Sequence, residues 1–238
     1  MEKNFSKEKS CDSCPIRHRA VCASCEPNEL ATLDQIKTYR NYDAGQPIIF
    51  AGDQMPFVGS LVTGTATLEQ MLEDGRKQTV GLLLPSDFIG RPGRELAPYD
   101  VTAVTDVTLC CFQKPKFEEL LRTTPHVSQR LLEMALDELD AARDWMLLLG
   151  RKTAREKIAT FIIMIEKRLT HPTLTRHQNE RHIILPLTRE AMSDYLGLTI
   201  ETVSRQFSAL KKDELIRLEG KRGVTIPDIT ALRDVAGY

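Results

Sequence analysis

The chain has 238 residues, 42% of them hydrophobic and 27% charged, with a formal net charge of −1. That length is ample for two compact domains, and the composition is that of a globular chain able to bury a core. No apolar run approaches the roughly 18–20 residues that a membrane span needs. Met1–Lys9 alternates charge and carries no apolar core, so a cytoplasmic protein is expected rather than a membrane or secreted one.

The net charge hides an asymmetry. From Arg151 onward 16 lysines and arginines oppose 11 acids, whereas residues 1–150 carry 16 against 22. A basic C-terminal part suits a domain that meets phosphate.

In chain order, the first feature is Cys11-x2-Cys14-x7-Cys22-x2-Cys25, within a cysteine-rich segment taken as residues 1–27. In a reducing compartment such a cluster points to metal or redox chemistry rather than to disulfides. Leu30–Thr38 reads as a short amphipathic helix. From Tyr42 to about Phe112 come short β-rich runs: Pro47–Phe50, Phe57–Val62, Ala66–Met71, Thr79–Leu84 and Val101–Phe112. Glycines and Asp-Gly pairs punctuate them, and Asp74–Gly75 reads as a two-residue hairpin turn. Many short strands at regular spacing predict an antiparallel, jelly-roll-like β-roll over residues 28–125. The last run holds the adjacent pair Cys110–Cys111, whose side chains would point to opposite faces of a strand.

From Lys116 the pattern turns helical. Leu132, Ala135, Leu139, Ala142, Met146 and Leu149 recur in alternating steps of three and four, the spacing by which two helices bury a shared seam. A second apolar stripe includes Leu131, Leu136, Trp145 and Leu147. Two stripes need two surfaces, so residues 126–150 are expected to pack on their own domain and on a twin, making a homodimer. Gly150 would end this helix, and Lys152–Leu169 would open a C-terminal domain of residues 151–238. The expected class is α+β.

The C-terminal domain carries the most specific pattern. Thr188 caps a helix through Tyr195, and Leu196-Gly197-Leu198-Thr199 leads into Ile200–Lys212. Ser193 is small where two helices must approach, Gly197 allows the positive φ of a tight turn, and Val203 lies six residues further as a core contact. These offsets satisfy a helix-turn-helix, whose second helix enters the major groove of double-stranded DNA. That helix would present Glu201, Thr202, Ser204 and Arg205. Arg205 suits a bidentate contact to guanine, and Glu201 can accept from a cytosine amino group. Leu215–Leu218 and Val224–Ile226 flank a basic tip at Lys221 and Arg222, a hairpin wing beside the helices.

A β-roll, a seam helix and a winged helix-turn-helix in this order resemble the CRP/FNR family of bacterial transcription regulators, over about residues 28–230. The likeness is sharpest from Leu196 to Arg205, which resembles the recognition segment of the FNR branch. There the positions of Glu201, Ser204 and Arg205 read TTGAT half-sites. The resemblance implies an oxygen-labile [4Fe–4S] cluster held by three N-terminal cysteines and one from the β-roll. On that basis Cys11, Cys14, Cys22 and Cys110 are the expected ligands, with Cys25 the chief rival and Cys111 facing away. The seven-residue gap before Cys22 is similar to FnrL-type alphaproteobacterial members rather than to the enteric form. Arg17 and Arg19 in that gap would offset the anionic charge of the cluster. The exposed tip Glu73–Gln78 is a candidate contact for RNA polymerase.

The residues themselves leave a competitor open: Cys11, Cys14, Cys22 and Cys25 also suit a closed structural zinc site in a regulator indifferent to oxygen. Cyclic-nucleotide control is not expected, because Gly90–Asp100 lacks the Arg-Ser pair with which such members hold the cyclic phosphate. An enzyme is not expected either, because His18, His126, His171, His177 and His182 all lie outside the predicted strands.

Overall fold

A computed structural model describes residues 10–75, 77–169 and 180–237. Met1–Lys9, on which the absence of a leader was read, lies outside them, as do Arg76 in the hairpin tip and His171 and His177. The chain divides into two compact units, Met1–Asp140 and Ala141–Tyr238.

In the first unit a 3-10 turn at Cys11–Ser13 leads through the cysteine loop to helix α1 (Pro27–Ile36). A capping box starts α1, with Glu26 N donating to Glu29 at 2.7 Å. The helix stops at Ile36 and the chain passes directly into strand β1 (Lys37–Tyr42), not into a helix reaching Thr38. The β-branched and aromatic residues from Thr38 to Tyr42 find partners in a distant strand, which local periodicity does not reveal.

The strands continue as β2 (Pro47–Ile49), β3 (Phe57–Thr63), β4 (Ala66–Met71), β5 (Lys77–Leu83), β6 (Phe88–Ile89), β7 (Asp100–Ala103) and β8 (Val107–Gln113). They form two antiparallel four-stranded sheets, in the orders β1-β8-β3-β6 and β2-β7-β4-β5. The run Val101–Phe112 is therefore two strands, one in each sheet. Asp74–Gly75 lies in a longer loop, because β4 and β5 pair only up to Met71 opposite Lys77. The roll core includes Phe57, Leu61, Leu83, Val101, Leu109 and Cys111.

Alternation gives the β1-β8-β3-β6 sheet a second buried face. Val58, Val62, Cys110 and Phe112 point away from the roll, toward the cysteine loop, α1 and the helices after β8. These are α2 (Lys114–Thr123) and α3 (Pro125–Arg151). Helix α3 begins earlier than the seam pattern and runs through Gly150, where an added Cβ would meet open space. A single glycine costs an exposed helix only about 1 kcal/mol, so it need not end one.

The second unit continues from α3 into α4 (Ala154–Leu169), β9 (Arg181–Ile184), α5 (Arg189–Leu196), α6 (Ile200–Lys212), β10 (Arg217–Glu219), β11 (Gly223–Ile226) and α7 (Ile229–Ala236). Strands β10, β11 and β9 form a small antiparallel sheet. Leu215 stays outside the wing strand, while β9 and α7 add elements the sequence patterns did not single out. Asp228 caps α7 by accepting from Thr230 N at 2.8 Å and Ala231 N at 3.3 Å.

Candidate cysteine centre and nucleic-acid interface

Three N-terminal cysteines gather beside β8. Cys14, Cys22 and Cys110 pack with Tyr39 around Ile16, Ala20 and Val62, while Cys11 joins the adjoining apolar cluster that also touches Cys22 and Cys110. Burial pushes the Cys110 thiol well above its ordinary value, and the nearby Cys11, Cys14 and Cys22 push it further. Burial likewise raises Cys11 to about 12 and raises Cys22. Thiols so placed stay neutral, and any metal that binds them must expel their protons.

The remaining two cysteines sit differently. Cys25 is raised to about 11 by burial, then by Cys22 and Glu29, and Cys22 is its one thiol neighbour in that set. Cys111 points into the roll core, raised to about 12 by burial and lowered only by Arg40. Among the described residues no three of His, Cys, Asp and Glu are drawn together into a site for a single metal ion.

Two basic residues shape the loop. Arg17 donates to the backbone carbonyls of Cys22, of Ala23 at 2.6 Å and of Cys25 at 3.0 Å. It thus pins the loop's fold, a role beyond the charge offset expected of it. The backbone carbonyl of Arg19 accepts from Arg130 of α3 at 2.8 Å, which ties the cysteine loop to the seam helix. Sequence reasoning missed Lys37: its side chain is only 6% exposed, and its Nζ lies 3.5 Å from Cys11 Sγ. Asp34 pairs with that ammonium and accepts from Cys11 N at 3.0 Å. No cysteine motif signals such a cation, because it arrives through the junction of α1 and β1.

On α3, the seam residues Leu132, Ala135, Leu139, Ala142 and Met146 are exposed, and Leu149 is half-buried. Leu132 is 60% exposed and Met146 66%, an apolar stripe of the kind that marks an interaction surface. The second stripe divides. Leu131 packs toward the cysteine side of the first unit, Trp145 stacks on Tyr195 with centroids 4.0 Å apart, and Leu136 and Leu147 stay exposed.

The helix-turn-helix forms from local rules. Thr188 caps α5 by accepting from Ala191 N at 3.1 Å. Gly197 takes φ 60°, the left-handed conformation that ends a helix. Thr199 caps α6 by accepting from Thr202 N at 3.2 Å. Val203, Phe207 and Leu210 face the core, with Arg189 stacked over the Phe207 ring. Lys157, buried in α4, donates to Leu196 O at 3.2 Å and satisfies the end of α5.

Glu201, Ser204, Arg205 and Ser208 form one exposed stripe at helical spacing on α6. Thr202 stands apart, half-buried, with its hydroxyl accepting from Thr199 Oγ1 at 3.0 Å. In the wing turn Lys221 is exposed, while Arg222 donates to Pro186 O at 3.2 Å and braces the hairpin.

A cavity of about 230 Å³ lies in the first unit, lined by apolar side chains such as Ile49, Met55, Leu83 and Val101. Arg91 is the charged residue in its wall.

The architecture is that of a transcription regulator: a β-roll followed by a DNA-binding helix-turn-helix. Residues 156–235 match the family described as a Crp-like helix-turn-helix domain, and residues 39–124 match the cyclic nucleotide-binding domain. The transcriptional activator protein FnrL of Cereibacter sphaeroides is 63% identical over 95% of this chain and 92% of its own. The nitrogen fixation regulation protein FixK of Bradyrhizobium diazoefficiens is 35% identical over 87% and 86%. Among solved structures, FixK2 of Bradyrhizobium japonicum matches with a TM-score of 0.75 at 30% identity, covering 84% of this chain and 97% of that one. The chain belongs to the CRP/FNR family of transcription regulators, in its FNR branch. Members of that family are regulators, not enzymes. Among the described residues no helix is long and apolar enough to cross a membrane.

Proposed function

We propose that the chain is a cytoplasmic, oxygen-responsive transcription regulator. It pairs as a homodimer on TTGAT-type palindromes when a [4Fe–4S] cluster joins Cys11, Cys14, Cys22 and Cys110, and it loses DNA affinity when oxygen destroys that cluster. The observation that carries this reading is the gathering of three N-terminal thiols around Cys110.

The donor chemistry fits such a group: four thiols from two parts of the chain, one for each corner iron. Zinc asks for more closely drawn thiolates, at a metal–sulfur distance of about 2.3 Å. It also needs Cys25, on which Cys22 is the one thiol that acts. A bound cluster would supply an oxygen-labile tie between the N-terminal loop and β8.

The chain's own residues carry that tie to the seam. Arg17 holds the loop's carbonyls together, Arg130 joins Arg19 to α3, and Val127, Leu131 and Met134 of α3 pack in the apolar cluster that contains Cys11. Order in the loop therefore bears on the helix whose exposed leucines would close on a twin. Such a device works only to the extent that the cluster binds the paired state more tightly than the unpaired one. Pairing sets the two α6 helices about one DNA turn apart, as a palindrome requires. The exposed Met71, Leu72 and Asp74 near the β4–β5 tip suit a contact with RNA polymerase.

Protein purified without oxygen is expected to be coloured, dimeric by gel filtration and bound to a TTGAT palindrome, and to lose all three properties in air. A colourless, zinc-loaded protein equally active in air would overturn the reading.

A further inference from the structure

Ser60 of β3 is 2% exposed, and its hydroxyl has no hydrogen-bond partner among the described residues. A buried hydroxyl without a partner costs desolvation with nothing in return, so its position calls for an account. The sheet register supplies one. Ser60 stands directly opposite Cys110 in the antiparallel β3–β8 pair. Residues so placed project from the same face with Cβ atoms about 5 Å apart.

The alternation agrees. Val58 and Val62 lie on the outer face with Cys110, while Phe57 and Leu61 point into the roll. The neighbouring residue fixes the approach: a Cβ on Gly59 would lie 2.5 Å from the carbonyl oxygen of Cys110, so only glycine lets β3 come this close. On the other side of β8, Tyr39 stands opposite Cys110 in the β1–β8 pair. The thiol thus sits between two hydroxyl-bearing neighbours, one of them orphaned.

We propose that Ser60 donates a hydrogen bond to the Cys110 thiolate in the cluster-loaded protein and tunes the cluster's reduction potential. The inference rests on the cluster reading above. A neutral thiol is a weak acceptor and a thiolate a strong one, so the hydroxyl gains its partner only when the sulfur is ligated. No proton is transferred. A hydrogen bond to a ligand sulfur favours the more reduced, more negative state and raises the potential.

The test compares wild type, Ser60→Ala and Ser60→Thr after anaerobic reconstitution with iron and sulfide. Three readouts are taken: the midpoint potential, the rate of bleaching in air, and the unfolding temperature of the metal-free protein. Ser60→Ala is expected to lower the potential and to bleach about ten-fold faster, the effect of one hydrogen bond to a charged group. Ser60→Thr, which keeps the hydroxyl, should follow the wild type. Metal-free Ser60→Ala should unfold no earlier than wild type, because the lost hydroxyl had no partner there. An unchanged potential and bleaching rate in Ser60→Ala overturns the inference. So does earlier unfolding of its metal-free form, or a threonine variant that behaves like alanine. Wild-type protein that takes up no cluster removes the cluster reading itself, whereas a normal wild-type cluster with an indifferent Ser60→Ala removes this inference alone.

Discussion

The cysteine face and the DNA-reading helix pair are built in opposite ways. The reader is local: from Thr188 to Lys212 its caps, its left-handed glycine and its core contacts all come from one stretch of chain. The cysteine face is non-local, joining thiols at positions 11, 14 and 22 to one at 110, with Lys37, Tyr39 and Ser60 supplied by two other strands. The reader's functional groups are exposed and wait for a partner, whereas the cysteines are buried to different degrees under apolar side chains. A local motif depends on few other parts of the fold. A centre assembled across the sheet registers any change in the packing that assembles it, which suits a switch.

The largest expected effect tests the non-local half. Cys110→Ser should abolish cluster uptake, read as iron and sulfide content and as loss of the visible absorption band. Cys111→Ser, one residue away but facing the roll core, should leave uptake intact. The opposite result would move the centre to the inner face of the sheet.

A smaller, sequence-selective effect tests the local half. Arg205→Ala should relax base choice at one position of each half-site, by about 1–3 kcal/mol against the mismatched base in a competition binding assay. Even weakening across all sequences would make Arg205 a phosphate contact, positioning rather than reading.

The smallest effect is a pH dependence confined to the first unit. His126 of α3 lies 2.9 Å from Glu29 of α1; that bond raises the imidazole and lowers the carboxyl. The histidine's contribution to stability is complete below its ordinary value of 6.5 and fades as pH rises through the raised folded value. The glutamate's is complete above 4.5 and fades as pH falls through the lowered one. Both therefore act together between 4.5 and 6.5. His126→Gln should lower the unfolding midpoint slightly near about pH 5.5 and not near about pH 8.5. An equal loss at both values would assign His126 to packing instead of charge.

How much was legible follows the same division. The helix-turn-helix could be read almost residue by residue, because Thr188, Gly197 and Thr199 act on the backbone within a few positions of themselves. Thr202 shows what local reading leaves out: its hydroxyl accepts from Thr199 within the cap and keeps its own proton for a further partner. The alternation that sends Cys110 and Cys111 to opposite faces was also readable, since a strand's period does not depend on its partners. Lys37 and Ser60 were not readable. Their importance comes from standing beside Cys11 and opposite Cys110, and nothing within a few residues of either announces that neighbour. The end of α1 at Ile36 was misjudged for the same reason, because the pairing of Lys37–Tyr42 with β8 is a long-range event.

The sequence by itself determined what is periodic or local: the β-roll's alternating strands, the seam of α3, the caps and turn of the reader, and the spacing of the N-terminal cysteines. Only the tertiary structure decided which groups meet. Sheet register between β3 and β8, set by packing across about fifty residues of intervening chain, places an orphaned hydroxyl opposite one thiol, and the α1–β1 junction places a lysine against another. That is where the chemistry of the cysteine face is tuned.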